Sequence, residues 1–103
     1  MNSQILKDAA EYCGIKWVGE SPPGDRHFLV LEDERIWRPH EKATQGEAVL
    51  RKIAEKTGRA PVISGGRDGA VKVSAGGVML LLAPSQMQAM PVLVAAALQR
   101  ASK

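Results

Sequence analysis

Residues 76–84 read Gly-Gly-Val-Met-Leu-Leu-Leu-Ala-Pro, and this stretch decides the predicted fold class. A short apolar run of this kind fits either a buried strand or a segment of helix. We favour a strand over Val78–Leu82, because two glycines precede it and Pro84 follows closely. A strand that is apolar at consecutive positions is expected to be covered on both of its faces. The run therefore predicts a sheet with a helical layer on each side.

The first half of the chain supplies one helix and two or three short strands. Apolar residues recur at three- and four-residue spacing from Ile5 to Cys13, which predicts an amphipathic helix. Asn2 or Ser3 would cap this helix, and Gly14 would stop it. A loop rich in proline and glycine and an acidic turn separate the strands, which are predicted at residues 15–18, 27–31 and 35–37.

The second half begins with another helix. Thr44 and Glu47 fit a capping box, in which both side chains bond to amides at the start of a helix. This helix is expected to stop at Gly58. The glycine-rich residues 65–69 predict a tight turn. It would join two strands, which we expect at residues 61–64 and 70–74.

Three helices are enough to cover a central sheet, with two on one side and one on the other. The sequence therefore predicts an α+β fold, a three-layer α/β/α sandwich around a largely antiparallel sheet of about four to six strands. The length of 103 residues is that of a single domain, residues 1–103. A chain of this size can bury about 60–65% of its unfolded surface without disulfides or metals.

Charge is divided unevenly along the chain. The net charge is +3, but residues 1–55 hold ten acids and eight bases, whereas residues 56–103 hold six bases and only Asp68. All four aromatic residues lie in the first half, so the basic half lacks rings for stacking on bases. No segment approaches the roughly 20 apolar residues needed to cross a bilayer. Since the N-terminus also lacks a secretory pattern, we expect no membrane contact and a cytoplasmic location.

Few side chains are suited to catalysis. Cys13, the only cysteine, falls at the end of a helix on its apolar stripe, so a small buried hydrophobe is expected. His27 and His40 match no metal-ligand spacing. Residues 64–69 lack the phosphate-loop motifs, and a strand rather than a helix follows them, so they predict a hairpin turn. We therefore expect no enzyme activity and no catalytic, cofactor or metal site.

Two segments are candidates for binding a partner. The loop after the third strand combines an aromatic ring, basic groups and a proline, and its candidate contact residues are Trp37, Arg38, His40 and Lys42. The alternative is a connector whose tryptophan packs into the core. In the second half, a group of cations on or beside the glycine-rich hairpin could contact phosphates, namely Arg59, Arg67 and Lys72.

The last helix is apolar on every side. It is predicted to begin between Ser85 and Pro91 and to end near Ala101, and the eight residues from Pro91 onward include no polar side chain. Such a helix is normally buried on more than one side. Either its own sheet buries it, or part of its face is an oligomer or partner interface, with Val92 and Leu93 as candidate contacts.

Three motifs are similar to those of small phage and prophage proteins grouped as the phage alpha-beta-alpha sandwich domain. The first is a helix that ends near a glycine and a tryptophan, here Gly14 and Trp17. The second is Trp37-Arg38-Pro39, before the middle helix, and the third is the last helix, which contains proline and is rich in alanine and leucine. The resemblance implies a phage or prophage origin, and action on a host protein or on phage gene control.

The leading functional prediction is a small non-enzymatic binding protein. It would be a phage-encoded modulator or inhibitor of a host protein, including a bacterial defence complex, and a phage protein is also a candidate partner. This prediction depends on the missing catalytic constellation, the apolar last helix and the family resemblance. The alternative is a nucleic-acid-binding regulator that uses the basic second half.

Overall fold

The computed structural model describes residues 2–24 and 26–102, and its first helix is capped as predicted. This helix, α1, spans Ser3–Cys13. The Asn2 side chain accepts a hydrogen bond from the Ile5 amide at 2.9 Å, which satisfies one of the free amides of the first turn. Gly14 ends the helix with a φ of 71°, a left-handed conformation that favours glycine.

Six strands form two separate antiparallel sheets in the described residues. Sheet A consists, in spatial order, of β1 (Trp17–Glu20), β2 (Leu29–Leu31) and β3 (Ile36–Trp37). Sheet B consists of β4 (Val62–Gly65), β5 (Val71–Ala75) and β6 (Val78–Leu82). The predicted α+β class with three α-helices is confirmed. One sheet of about four to six strands within a three-layer sandwich is not confirmed, because the strands divide into two groups of three.

The hairpin between β4 and β5 contains the predicted tight turn. The Gly66 amide donates to the Ala70 carbonyl at 2.8 Å, and the Ala70 amide donates to the Arg67 carbonyl at 3.0 Å. Asp68 and Gly69, at the tip, both have positive φ angles, of 55° and 79°. Two consecutive positive φ angles are the requirement of a two-residue turn that matches the twist of a hairpin.

The second helix, α2, spans Ala43–Thr57 and begins before the predicted capping box. Its N-cap is Lys42, which makes no side-chain capping bond. Thr44 consequently lies inside the first turn rather than ahead of it, so the prediction of a capping box with Glu47 is wrong. Gly58 ends α2 with a φ of 90° and donates its amide to the Ala54 carbonyl, as expected of a glycine stop.

The third helix, α3, spans Met90–Ala101 and follows a 3₁₀ helix over Pro84–Ala89. It packs against α1, α2, β5 and β6, which places it at the centre of the molecule. Its buried residues are Met90, Pro91, Val92, Val94, Ala95, Ala96 and Leu98. The chain's own elements therefore bury this helix on several sides, and this burial accounts for its apolar character all round.

Small residues and a buried carboxylate join α1 to α3. Ala9 and Ala95 are fully buried, and residues of this size let two helices approach closely. The buried Asp8 carboxylate accepts hydrogen bonds from Arg100 Nε and from Gln4 Nε2, both at 2.9 Å. The C-terminal turn of α3 is thereby tied to the middle of α1.

One hydrophobic core includes buried residues from all three α-helices and from both sheets. A second contact joins α2 to α1, where Lys56 Nζ donates to the Tyr12 carbonyl and lies 4.3 Å from the centre of its ring. No helix in the described part of the chain is long and apolar enough to cross a bilayer.

Candidate protein-interaction surface

Sheet B is covered on only one of its faces. Val73, Ala75 and Leu82 are buried in the core. Their neighbours along each strand point to the opposite side, because side chains alternate along a strand. We call this outer surface the sheet-B face, and it consists of Val62, Ser64, Lys72, Ser74, Met79 and Leu81.

Three large apolar side chains of the sheet-B face are exposed to solvent. Val62 is 50% exposed, Met79 is 55% exposed and Leu81 is 63% exposed. The expectation that both faces of Val78–Leu82 are covered is therefore wrong. Helix α3 and the 3₁₀ helix pack near β6, but no described element covers the outer side of the sheet.

The strand register shows how these side chains are arranged on the face. Ser74 on the central strand is paired with Val62 on one side and with Met79 on the other. Lys72, two residues earlier, is paired directly with Leu81. Paired residues on the same face lie about 4.5–5.5 Å apart at Cβ. The exposed apolar groups therefore form one patch, interrupted by a serine and edged by a lysine.

Strand β4 is exposed along its whole length. It lies at one edge of sheet B, and all four of its residues are exposed. Ile63 points to the core side of the sheet and is nevertheless 52% exposed, so the helices do not extend beneath this strand. An edge strand of this kind presents a row of backbone donors and acceptors that lack partners.

Three cations surround sheet B. Arg59 precedes β4, Arg67 is in the hairpin turn, and Lys72 is on the sheet-B face; all three are exposed. None of them forms an ion pair with a described residue. Asp68 is the only acid among residues 56–103, so these three cations and one carboxylate leave a local charge of +2.

A cavity of about 590 Å³ lies at one end of the sheet-B face. The end of α2 lines one side of it through Thr57 and Arg59, and the turn between β5 and β6 lines the other. Gly76 in this turn has a φ of 51°, and a Cβ there would lie 2.8 Å from side-chain atoms of both Leu98 and Thr57. Glycine is therefore needed where the turn meets α2 and α3.

The segment from Trp37 to Lys42 is only partly available to a partner. Trp37 is buried in the core, so its selection as a contact residue is wrong and the packed connector describes it better. Arg38 and His40 are half-buried, and Lys42 is exposed. The Gln45 side chain fixes this connector, because it accepts from the Arg38 amide at 2.6 Å and donates to the Ile36 carbonyl at 2.9 Å.

Two polar atoms inside this connector have no hydrogen-bond partner in the described chain, Arg38 Nε and His40 Nδ1. Burial lowers the pKa of His40 below its ordinary value, and the repulsion of His27 adds to this effect. Glu41, 3.8 Å from His40 Nε2, opposes it by attraction. These groups leave a largely neutral imidazole that is enclosed by the fold rather than presented to a substrate.

The candidate contacts on α3 are less accessible than the sequence suggests. Val92 is fully buried and offers no surface to a partner while the fold is intact, so its selection is wrong. Leu93 is half-buried and packs against the core. The physical reason is that α1, α2 and sheet B together enclose the helix.

Within the described residues, the nucleophilic and metal-binding side chains are not gathered into a site. Burial raises the pKa of the Cys13 thiol to about 11, against the opposing attraction of Lys56 and Lys52. The thiolate required of a nucleophile is therefore scarce near neutral pH. Among residues 2–24 and 26–102, no three histidine, cysteine, aspartate or glutamate side chains are placed to hold a metal ion.

The cations near sheet B were predicted from the sequence, but the exposed apolar side chains were not. Val62, Met79 and Leu81 lie on the sheet-B face, and Ile63 is exposed on the other side of β4. A signal was present in the central strand, where Lys72 and Ser74 alternate with apolar residues and so indicate one solvent-exposed face.

Comparison of the chain with protein-family models, with curated proteins and with solved structures finds no significant match. The resemblance to phage alpha-beta-alpha sandwich proteins therefore stays a prediction.

Proposed function

We propose that the chain is a non-enzymatic binding module that contacts a partner protein through the sheet-B face. The observation that carries this proposal is the set of three apolar side chains on this face, each at least half exposed, namely Val62, Met79 and Leu81. Met79 and Leu81 are neighbours along β6, and Val62 lies on the other side of Ser74. Contiguous exposed apolar surface with a polar rim is typical of protein-binding sites. Basic side chains at the rim favour partners of complementary charge and speed their association.

The proposed partner is a host or phage protein in the bacterial cytoplasm, and the proposed role is that of a modulator or inhibitor. This part of the proposal comes from the resemblance to small phage proteins. The enclosed Cys13 and His40 support a binding role over catalysis, because neither side chain is presented at an open site. A homo-oligomer through α3 stays a prediction.

Affinity capture from bacterial lysate, followed by mass spectrometry, tests this function when it is combined with surface variants. The double variant Met79→Ser, Leu81→Ser removes two side chains of the patch and is expected to lose the captured partner. Val18→Ser is the matched control, because Val18 is 67% exposed on sheet A, away from this face. Circular dichroism should show all three proteins folded. Retention of the same partner by the double variant would contradict the proposal.

Nucleic-acid binding is the second candidate, favoured by the three exposed cations that lack ion pairs. Phosphate contacts would make it strongly dependent on salt. The described sheet-B face has no aromatic side chain for stacking on bases, which weakens this alternative. A fluorescence anisotropy titration at low salt, with single- and double-stranded DNA and RNA, decides between the two. Absence of any shift would remove the nucleic-acid candidate.

A further inference from the structure

The backbone of β4 has one side that no described element bonds. The Gly66 amide bonds to Ala70 at the turn, and the register then pairs Ser64 with Lys72 and Val62 with Ser74. In an antiparallel ladder, hydrogen-bonded pairs alternate with pairs that are not hydrogen-bonded. Counted from the turn, Ser64 and Val62 occupy the hydrogen-bonded positions.

Ile63 lies between Val62 and Ser64, and Gly65 follows Ser64, so both occupy the positions that are not hydrogen-bonded to β5. The amide and carbonyl groups of Ile63 and Gly65 therefore point away from β5, towards solvent. Sheet edges in natural proteins are usually blocked by charges, prolines or a covering element. The four residues of β4 carry no charge and no proline, and no described element covers them. Pro61 before the strand and the irregular pairing at Gly66 after it limit the open edge to this short length.

Two arginines lie beyond the ends of this edge, and they decide which kind of strand could occupy it. Arg59 lies before β4 and Arg67 after it, and neither has an ion-pair partner in the described chain. A second copy that pairs its own β4 antiparallel about Ile63 would put Arg67 opposite Arg59 of the second copy, at both ends. Like charges placed opposite each other disfavour this pairing. An acidic strand would meet favourable charge at the same positions.

We propose that an extended acidic segment of a partner protein adds to sheet B as a fourth strand, along β4. This inference rests on the proposed function and specifies the partner's conformation and charge. The backbone groups of Ile63 and Gly65 would bond to the added strand, as in other cases of strand addition. Residues of the added strand that pair with Ile63 and Gly65 have their side chains on the same face as Ile63, so apolar residues at these alternate positions would cover Ile63. The acidic residues of the added strand would lie near Arg59 and Arg67.

A designed peptide tests this mode of binding directly. The probe is an acetylated and amidated peptide that reads Asp-Glu-Val-Thr-Val-Thr-Val-Glu-Asp, which alternates apolar and polar residues between acidic ends. Binding is expected to slow hydrogen exchange at the Ile63 and Gly65 amides. The Val62 and Ser64 amides should change little, because they already bond to β5. A control peptide with N-methylated valines lacks those strand donors and should bind much more weakly.

Three variants separate the contributions of backbone and charge. Ile63→Pro removes an outward-facing amide without removing a bond to β5, and should abolish peptide binding with the fold retained. Arg67→Glu should weaken binding about tenfold at low salt. Arg51→Glu is its matched control, because Arg51 is an exposed residue of α2 with the same change of charge. It should alter the affinity by less than about twofold.

The outcomes of these experiments distinguish strand addition along β4 from binding of a partner by the sheet-B face. If neither the peptide nor the captured partner protects the Ile63 and Gly65 amides, strand addition is wrong. Loss of the partner in the Met79→Ser, Leu81→Ser variant would then still support the sheet-B face as a binding surface. Protection of both amides without any peptide, together with a dimer in light scattering, would assign the edge to a second copy. Displacement of the peptide by single-stranded DNA at equal charge would assign it to nucleic acid.

Discussion

His40 shows how a single enclosed residue makes stability depend on pH. Its Nδ1 has no hydrogen-bond partner in the described chain, and burial lowers its pKa below the ordinary 6.5. Between that lowered pKa and 6.5, the unfolded chain binds more protons than the native one. Stability linked to this group is therefore fully present above about pH 6.5 and is lost as the pH falls towards the lowered pKa.

The first prediction follows from this increase of stability with pH. The free energy of unfolding, measured in urea, should be smaller at pH 5 than at pH 7.5, because protonation of His40 favours the unfolded chain. The variant His40→Gln has no titrating group at this position and should show a weaker dependence over the same interval. An equal loss of stability in both proteins would show that other groups cause the dependence.

The second prediction concerns Gly76. A Cβ at this position would lie 2.8 Å from Thr57 Cγ2. Thr57 cannot easily turn away, because its hydroxyl lies 2.8 Å from both the Ile53 and the Arg59 carbonyl oxygens and donates its one hydrogen between them. Gly76→Ala should therefore destabilise the protein by about 2–4 kcal/mol, from backbone strain and crowding together. Gly77→Ala is the control. It has positive φ but no atom within 4 Å of its Cβ, and should cost about 1 kcal/mol. If chemical denaturation shows a similar loss of stability in both variants, crowding against Thr57 and Leu98 is not the cause.

Among the secondary-structure elements, the third prediction concerns the contact between α1 and α3. Asp8 is buried, whereas Arg100, its partner at 2.9 Å, is half exposed. Asp8→Ala should destabilise the protein by about 1–3 kcal/mol, because it removes the hydrogen bond from Arg100 that joins the two helices and the hydrogen bond from Gln4 within α1. Arg35→Ala breaks an exposed pair with Asp33 and should change stability far less, because solvent screens this pair. Equal effects in thermal denaturation would contradict the role given to Asp8.

The helices and strands could be predicted from local sequence, whereas the division into two sheets could not. Asn2, Gly14 and Gly58 set the helix ends through caps that act within one turn. The hairpin at residues 66–70 follows from its own glycines. Which strands share a sheet depends on contacts between distant parts of the chain. Strand β3 is only two residues long, which is too short to show a pattern of apolar and polar residues. The sequence therefore does not indicate that sheet A ends at this strand.

The candidate site was predictable in part. Arg59, Arg67 and Lys72 were selected from charge, and all three are exposed around sheet B. The apolar patch was missed because five consecutive apolar residues in β6 suggest burial on both sides. The alternation in β5 argues for one exposed face, and the central strand of three is the better guide because its neighbours share its faces. Trp37 and Val92 were selected as surface residues because residue type alone cannot show what packs over them.

For the whole molecule, the fourth prediction concerns unfolding of the core that the helices and both sheets share. Buried residues of both sheets and all three helices belong to one cluster, so the described chain should unfold in a single cooperative transition. Tryptophan fluorescence reports on sheet A through Trp17 and Trp37, and far-ultraviolet circular dichroism reports chiefly on the helices. The two denaturation curves should coincide. Separate midpoints would show that sheet A unfolds independently of the helical core.

The central position of α3 also has a consequence during synthesis on the ribosome. This helix is the last of the described elements in the chain, yet α1, α2 and sheet B all pack against it. The apolar strand β6 is synthesised before the helix that covers its inner face. A nascent chain that ends before Met90 should therefore stay open, exposed to proteases and to chaperones that bind apolar segments. Folding has to wait until translation has passed the final turn of α3.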